Sequence, residues 1–347
     1  MKASFELLVH APVGGTSWAR YAGWLHEALR IGFPDQVAEK VIPPGASASR
    51  GGSDRRVHLV CGPMPMAADM LQTLPLGQPA IVYTGWESTA MPIMPAAMLS
   101  RAKVVVVPSQ FAQVVFAAAS ALPTRIVRHG VHRTYVCRPL NRKARTDDVI
   151  RVGAGGAWRG AGERKRLLSL VGLFAQWAKR GDLPPAKLSV RVPDLPDWSQ
   201  RALKDVPTLE WRVGRELSVE DQADWYDSID GYITLSMGEG YDLMSAEAMA
   251  RGLPVAGPAW GATGEHRLVV PMDYRLAPMS KACGYYPAEA LGAWVDDREL
   301  ANAWGRLLQI TSHLRGTRVL PVEGVRTVDD AATDLIQVIE EVLSCRG

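Results

Sequence analysis

Short uninterrupted apolar runs alternate with segments of helical period along this chain, in two series. That alternation narrows the fold more than any other feature. The first series comprises "FELLVHA", "RVHLVCG", "PAIVYTG", "AKVVVVPS" and "TRIVRHG". These runs are apolar on both faces, as strands of a parallel sheet covered by helices on each side must be. The second series comprises "VIRVGAGG", a helix over Arg164 to Lys179, "KLSVRVP", "TLEWRVG", a helix near Val219 to Ser228, "GYITLS" and "LPVAGP". Helical pattern returns from Ala288 to Leu314 and from Val328 to Leu343. Strand and helix in alternation predict an α/β protein with parallel sheets.

At 347 residues the chain exceeds what one core usually organises, so two domains are expected. The polar, aperiodic "RPLNRKARTDD" supplies a linker. The expected division is an N-terminal domain over 1–140, a linker over 141–150, a C-terminal domain over 151–325 and a C-terminal helix over 326–347 that packs back on the first domain. No apolar run reaches the roughly 18 residues that span a bilayer. The first apolar stretch is also too short for a signal peptide. Four scattered cysteines, without metal-type spacing, read as reduced thiols, and a cytoplasmic location is expected.

The net charge of +3 conceals an asymmetry. Residues 1–150 hold 16 Lys and Arg against 9 Asp and Glu, a charge of +7; the remainder holds 23 against 27, a charge of −4. Thr124 to Thr146 carries seven Lys and Arg and no acid. A basic half suits a polyanionic partner, either nucleic acid or an anionic membrane surface, and a merely solvated face is the bland alternative.

The stretch "SMGEGYDLMSAEAMARGLPV" holds the chemistry. Glu239 sits in a Gly-rich turn, and Glu247 lies eight residues on in an apolar helical run. Asp242 is positioned to cap that helix, and Gly252 with Pro254 to stop it. Amides at the helix mouth suit a phosphate. Glu239 then stands beside whatever follows the phosphate, and Glu247 offers two oxygens to a diol. The arrangement fits a nucleotide sugar; by spacing alone, a surface helix with solvated carboxylates fits as well.

The run from Glu239 through Gly240, Tyr241, Asp242 and Leu243 to Glu247, ending "AMARGLPV", resembles the signature E-G-F-G-L-P-x-x-E-A-M-A-x-G-x-P-V of retaining glycosyltransferases of family 4, whose fold is GT-B. "GATGEH" resembles that family's G-G-x-x-E turn, and "VVVVPSQF" and "IVRHGVH" resemble its strand-S-x-F and N-G-V-D segments. "GGAWRGAGERKR" offers Arg159 and Lys165 where the family carries an Arg and, six residues later, a Lys. Gly14 and Gly15 fall at its first Gly-rich loop.

The resemblance implies two Rossmann-like domains facing across a cleft. It implies transfer from a nucleotide diphosphate sugar, of UDP type, to a hydroxyl with retention of anomeric configuration. Arg159 and Lys165 hold the diphosphate, where leaving-group charge builds. Glu239 contacts the sugar, Glu247 the ribose, and Gly14, Gly15, Gly240, Tyr241, Asp242 and Leu243 complete the donor site. No D-x-D motif occurs, so neither metal nor cofactor is expected.

The sequence departs from the family pattern in three places. Asp242 replaces a glycine near the phosphates, Met244 replaces a proline, and "YTGWEST" lacks the family's sugar-contacting histidine. A nucleotide-sugar-binding protein without turnover is the alternative these departures motivate. For the acceptor, Trp18, Trp86, Glu87, Arg55 and Arg56 are the candidates. The Arg/Gly/Ser loop over 42–56, with Trp18 and Trp24, suits a hydroxylated DNA base; a lipid or glycan at an anionic membrane is the other candidate.

Overall fold

The computed structural model describes residues 5–12, 17–38, 41–44, 56–91, 98–140, 148–157, 160–181, 186–194, 206, 208–214, 217–281, 286–314 and 324–344. Two compact units divide the chain, one of 1–132 with 326–347 and one of 133–325.

Among the described residues, the first unit holds a parallel five-stranded sheet. Its strands are β1 Glu6–His10, β2 Arg56–Cys61, β3 Ala80–Tyr83, β4 Val104–Val107 and β5 Thr124–Ile126, side by side in that order. All four valines of β4 are buried, as a strand covered on both faces requires. Helices α1 (Ser17–Gly32), α2 (Met64–Gln72) and α3 (Gln110–Ala119) connect the strands. The hydroxyl of Ser109 accepts from the amide of Ala112 and so caps α3, which accounts for the serine that closes the "VVVVPS" run.

Among the described residues, the second unit holds a sheet of six parallel strands: β6 Ile150–Gly155, β7 Ala186–Val192, β8 Leu209–Val213, β9 Gly231–Ile233, β10 Val255–Pro258 and β11 Val270–Met272. Their order is β11-β10-β9-β6-β7-β8. The chain therefore builds outward from β6 in one direction and then resumes at β9 on the other side. β6 and β9 pair directly, Val152 against Gly231 and Gly153 against Tyr232. This reversal is the topological switch point, where loops leaving neighbouring strands diverge and leave a crevice.

The helices described in the second unit are α4 (Arg133–Cys137), α5 (Leu167–Arg180), α6 (Val219–Asp227), α7 (Leu243–Ala250), α8 (Gly261–Gly264) and α9 (Asp297–Leu314). Leu167, Leu170, Val171, Phe174 and Trp177 of α5 recur at helical spacing and enter the core with Val152, Leu188 and Trp304. The final helix, α10 (Val328–Ser344), packs on α1 in the first unit.

Several boundaries differ from the sequence reading. The helix expected from Arg164 starts at Leu167, because 160–165 winds as a tighter 3₁₀ segment. The strand expected over Tyr232 to Ser236 ends at Ile233. The helical reading from Ala288 is corrected: Leu291–Trp294 is strand β13, antiparallel to β12 (Arg275–Pro278), and the helix begins at Asp297. Gly292 explains the change, since a Cβ there would stand 2.5 Å from the carbonyl oxygen of Met237, and only bare backbone fits.

Residues 133–140, drawn with the first half on sequence, pack in the second unit. The Arg251 guanidinium donates to the carbonyls of Tyr135, Arg138 and Pro139 there. Of the linker expected over 141–150, residues 141–147 lie outside the described residues and Ile150 already opens β6; most of the Arg/Gly/Ser loop, 45–55, also lies outside them.

Candidate donor site in the second unit

The switch point between β6 and β9 brings together what sequence separates. The chain leaving β6 passes Gly156 and returns through Arg164 and Lys165. The chain leaving β9 turns through Ser236 to Asp242 and enters α7. The two are tied by backbone and side chain, the amide of Met237 donating to the carbonyl of Arg164 at 2.8 Å and Arg164 Nε to the carbonyl of Gly238 at 3.0 Å. From the other side the amide of Ala293 in β13 donates to the carbonyl of Met237 at 2.8 Å. The turn is thus held at three points.

Glu239 sits at the tip of that turn, buried. Lys165 Nζ lies 2.8 Å from its Oε1 and Arg164 Nη2 lies 3.0 Å from its Oε2. Burial pushes the Glu239 carboxyl up, but Arg164 and Lys165 outweigh burial and hold it at about 2. The Lys165 stem runs over Gly156, where φ is +134° and a Cβ would meet Lys165 Cδ at 2.5 Å. Glycine serves here both for its backbone conformation and for its missing side chain.

Asp242 precedes α7 with φ of +65°, a left-handed conformation that Asp and Asn tolerate better than most residues. That conformation gives a physical reason for a glycine at this place in the resembling pattern. Asp242 does not cap the backbone as expected from sequence. Its Oδ2 accepts instead from the hydroxyls of Ser245 at 2.6 Å and Thr263 at 3.1 Å. The carboxylate faces the interior, away from any ligand at the helix mouth. Thr263 belongs to the "GATGEH" turn, and so does His266, whose Nε2 donates to the carbonyl of Tyr241 at 2.6 Å.

Glu247 and every residue of α7 from Met244 to Ala250 are buried, which overturns the surface-helix alternative. The Tyr226 hydroxyl donates to Glu247 Oε2 at 2.9 Å. Burial, and then the neighbouring Glu247, raise Tyr226 well above the ordinary tyrosine value, so it remains a donor. Tyr232 of β9 is likewise raised by burial and by Asp242, Glu239 and Glu247 around it. The partly exposed residues of the turn are Gly240, Tyr241 and Leu243, with Lys165 beside them, and they form its open face.

Of the expected donor residues, the structure thus joins Lys165, Glu239, Gly240, Tyr241, Asp242, Leu243 and Glu247. Arg159, Gly14 and Gly15 lie outside the described residues. Arg164, Tyr226, Thr263, His266 and Ala293 were not singled out on sequence. The adjacency of Arg164 to Lys165 and the resemblance of "GATGEH", which holds Thr263 and His266, were the signals.

The acceptor candidates in the first unit fare differently. Trp86 is a core residue, its indole Nε1 donating to Ser88 Oγ at 2.8 Å and to the carbonyl of Ala90 at 2.7 Å. Trp24 is also buried. Arg56 is tied to Glu6 across β2 and β1 at 2.8 Å. Trp18 is half-buried, stacked edge-on against His129 at 4.9 Å. Glu87 is half-buried and Arg55 lies outside the described residues.

Comparison with solved structures places this geometry in a known fold. Sucrose-phosphate synthase from Thermosynechococcus elongatus is similar over 99% of this chain and 100% of that one, with TM-score 0.70 and 14% identity. HepE (Alr3699) of Anabaena, solved in complex with UDP and glucose, is similar over 97% and 99%, with TM-score 0.58 and 13% identity. AviGT4, a glycosyltransferase involved in avilamycin A biosynthesis, is similar over 98% of each chain, with TM-score 0.53 and 13% identity. No protein-family model and no curated protein matches the sequence. The chain has the GT-B fold of glycosyltransferases, built from two Rossmann-like units.

Proposed function

We propose that this protein is a retaining glycosyltransferase that uses a nucleotide diphosphate sugar, of UDP type, and transfers its sugar to a hydroxyl. The observation that carries the reading is the joining of Glu239 and Lys165 at the β6–β9 switch point, beside the start of α7. The first amides of a helix lack intrahelical partners and favour an anion. With the Lys165 ammonium next to them, the open face suits a diphosphate. Leaving-group charge grows on that diphosphate in the transition state, and a fixed cation there lowers the barrier. Arg159 is proposed as the second cation.

Glu239, ionised throughout the ordinary pH range, is suited to accept hydrogen bonds from sugar hydroxyls and to offset positive charge at the anomeric carbon. Glu247, oriented by Tyr226, is proposed as the ribose contact. Retention then follows from attack on the face the diphosphate leaves, with the leaving phosphate accepting the acceptor's proton. No metal is proposed, and turnover is expected to survive a chelator. Of the departures that motivate a binding protein without turnover, Asp242 is turned inward and engaged by two hydroxyls, which supports turnover, and the missing histidine of "YTGWEST" still stands for the alternative.

The acceptor is proposed to be anionic, from the charge of +4 in residues 1–132, 11 Lys and Arg against 7 Asp and Glu, which 326–347 of the same unit offsets with 2 against 5. Burial of Trp24 takes away one of the two rings expected to stack on a DNA base and leaves the half-buried Trp18, and Trp86 is likewise closed in the core. A lipid or glycan at an anionic surface is therefore the acceptor carried forward.

Two experiments test the proposal. Titration of UDP and other nucleoside diphosphates into wild type and Lys165→Ala, with donor hydrolysis followed, is expected to show binding and turnover in wild type and a loss on the order of 10² or more in turnover in the variant. Absence of nucleotide binding in wild type overturns the reading. Retention on DNA and on anionic liposomes, each at two salt concentrations, decides the acceptor. DNA binding that falls steeply with salt would reinstate nucleic acid. Failure of both would leave a small soluble acceptor.

A further inference from the structure

Among the described residues two cations face Glu239, and the structure does not treat them alike. Arg164 is buried and spends its bonds on the turn itself: Nε on the carbonyl of Gly238, Nη2 on Glu239 Oε2, and its own carbonyl on the amide of Met237. Lys165 reaches the same carboxylate through a single 2.8 Å contact from a more exposed ammonium, at the open face. A flexible ammonium is a compact point charge that changes partner readily, whereas a planar guanidinium bonded at several points is fixed.

We propose that Arg164 is a positioning residue that remains the counter-ion of Glu239 throughout the reaction, leaving Lys165 to exchange Glu239 for the incoming diphosphate. The inference rests on the donor-site reading above. Were Lys165 the sole partner, its departure to the phosphate would strand a buried carboxylate, a costly state. With Arg164 in place, Glu239 keeps its charge and its aim when the donor binds. Among the described residues, the charged and titratable groups facing Glu239 are Arg164 and Lys165 from the 3₁₀ segment and Tyr232 from β9; the Ser236 hydroxyl of the same turn donates to the carbonyl of Gly238 at 3.0 Å.

The test compares Arg164→Gln, Arg164→Lys and wild type. Donor turnover in Arg164→Gln is expected to fall on the order of 10², as misplacement of a reacting contact does, with the KM for donor changed far less. Its acid limb should move up toward the ordinary carboxylate range, and Arg164→Lys should recover part of both. Carbon-13 titration of Glu239 reads the same effect without activity: wild type stays ionised as far down as the fold persists, and Arg164→Gln titrates at higher pH. An unmoved Glu239 titration with an unmoved acid limb overturns the inference even when wild type binds nucleotide. If wild type binds no nucleoside diphosphate, the donor-site reading fails instead, and the partner exchange with it. Circular dichroism of Arg164→Lys guards against simple misfolding, because that variant keeps the charge.

Discussion

The side chain of Lys165 crosses the bare α-carbon of Gly156, so closely that a Cβ there would stand 2.5 Å from Lys165 Cδ. With φ of +134° at the same residue, Gly156 is required twice. Gly156→Ala is therefore expected to push the ammonium off its line to Glu239 and off the diphosphate. Loss of one well-placed charged contact corresponds to about a tenfold weaker nucleoside diphosphate affinity. Calorimetric titration of UDP checks this, and an affinity equal to wild type would show that Lys165 does not hold the phosphate.

Tyr226 and Glu247 form a buried pair at 2.9 Å. Tyr226→Phe removes the donor and leaves a carboxylate short of a hydrogen bond, at a cost of about 1–3 kcal/mol in stability. If Glu247 holds the ribose, Tyr226→Phe should also weaken nucleotide binding while leaving the turnover of bound donor close to wild type. Equal affinities for UDP in Tyr226→Phe, Glu247→Ala and wild type would confine the pair to a structural role.

Arg251 is only 1% exposed and bonds Asp227 through both carboxylate oxygens, at 2.9 and 2.7 Å, besides three carbonyls of the 135–139 segment. Removing one partner of such a pair leaves a buried charge, and Arg251→Met is expected to cost about 3–5 kcal/mol. Urea denaturation checks the value. The double change with Asp227→Leu should cost less than the sum of the two single changes. Simple additivity would mean that the pair contributes no coupling.

These cases mark where sequence is legible. Continuous Val and Ile runs announced the buried parallel strands, because burial on both faces is written in every residue of such a run. Glu239 and Lys165 were singled out through the resemblance of their two stretches to one family pattern, since spacing alone fitted a surface helix with solvated carboxylates as well. Arg251 was not, since a charged residue at the end of a helix reads as surface until the tertiary fold supplies Asp227 and three carbonyls. Strand β13 was hidden for a related reason. "ALGAW" is too short to show a period, and only the approach of Met237 to Gly292 decides for extended backbone. Asp242 was read as a cap because its partners, Ser245 and Thr263, are chosen by a backbone angle that sequence does not display.

Gly130 lies against the backbone of Thr327, where a Cβ would come within 1.9 Å. At the next residue the amide of Val131 donates to the carbonyl of Arg326, and the carbonyl of Val131 accepts from the amide of Val328, both at 2.9 Å. These bonds fix the entry to α10. Gly130→Ala cannot be absorbed by a side-chain shift and should cost about 1–3 kcal/mol or more. Limited proteolysis should then release the segment from 326 onward faster than in wild type. An unchanged digestion pattern would mean that the helix docks without this contact.

His129 is packed within the first unit against Tyr21, ring centroids 3.8 Å apart, with Trp18 and Tyr83 edge-on. Burial lowers it from the ordinary value of 6.5 to about 3. Burial, with His58 adding to it, lowers His10 to about 4. In the unfolded chain both protonate near 6.5, so below that pH the unfolded state binds more protons. Stability is therefore fully present above pH 6.5 and declines as pH falls toward the folded values. Each such histidine steepens the decline by about 1.4 kcal/mol per pH unit once the unfolded side chain is protonated. His129→Asn, the residue of the resembling N-G-V-D pattern, abolishes one of these protons. The variant's stability against pH, measured by urea denaturation between pH 6.5 and 4, should be shallower than wild type by close to one proton, whatever its level at neutral pH. A slope unchanged by the substitution would mean that His129 takes up its proton in the folded protein.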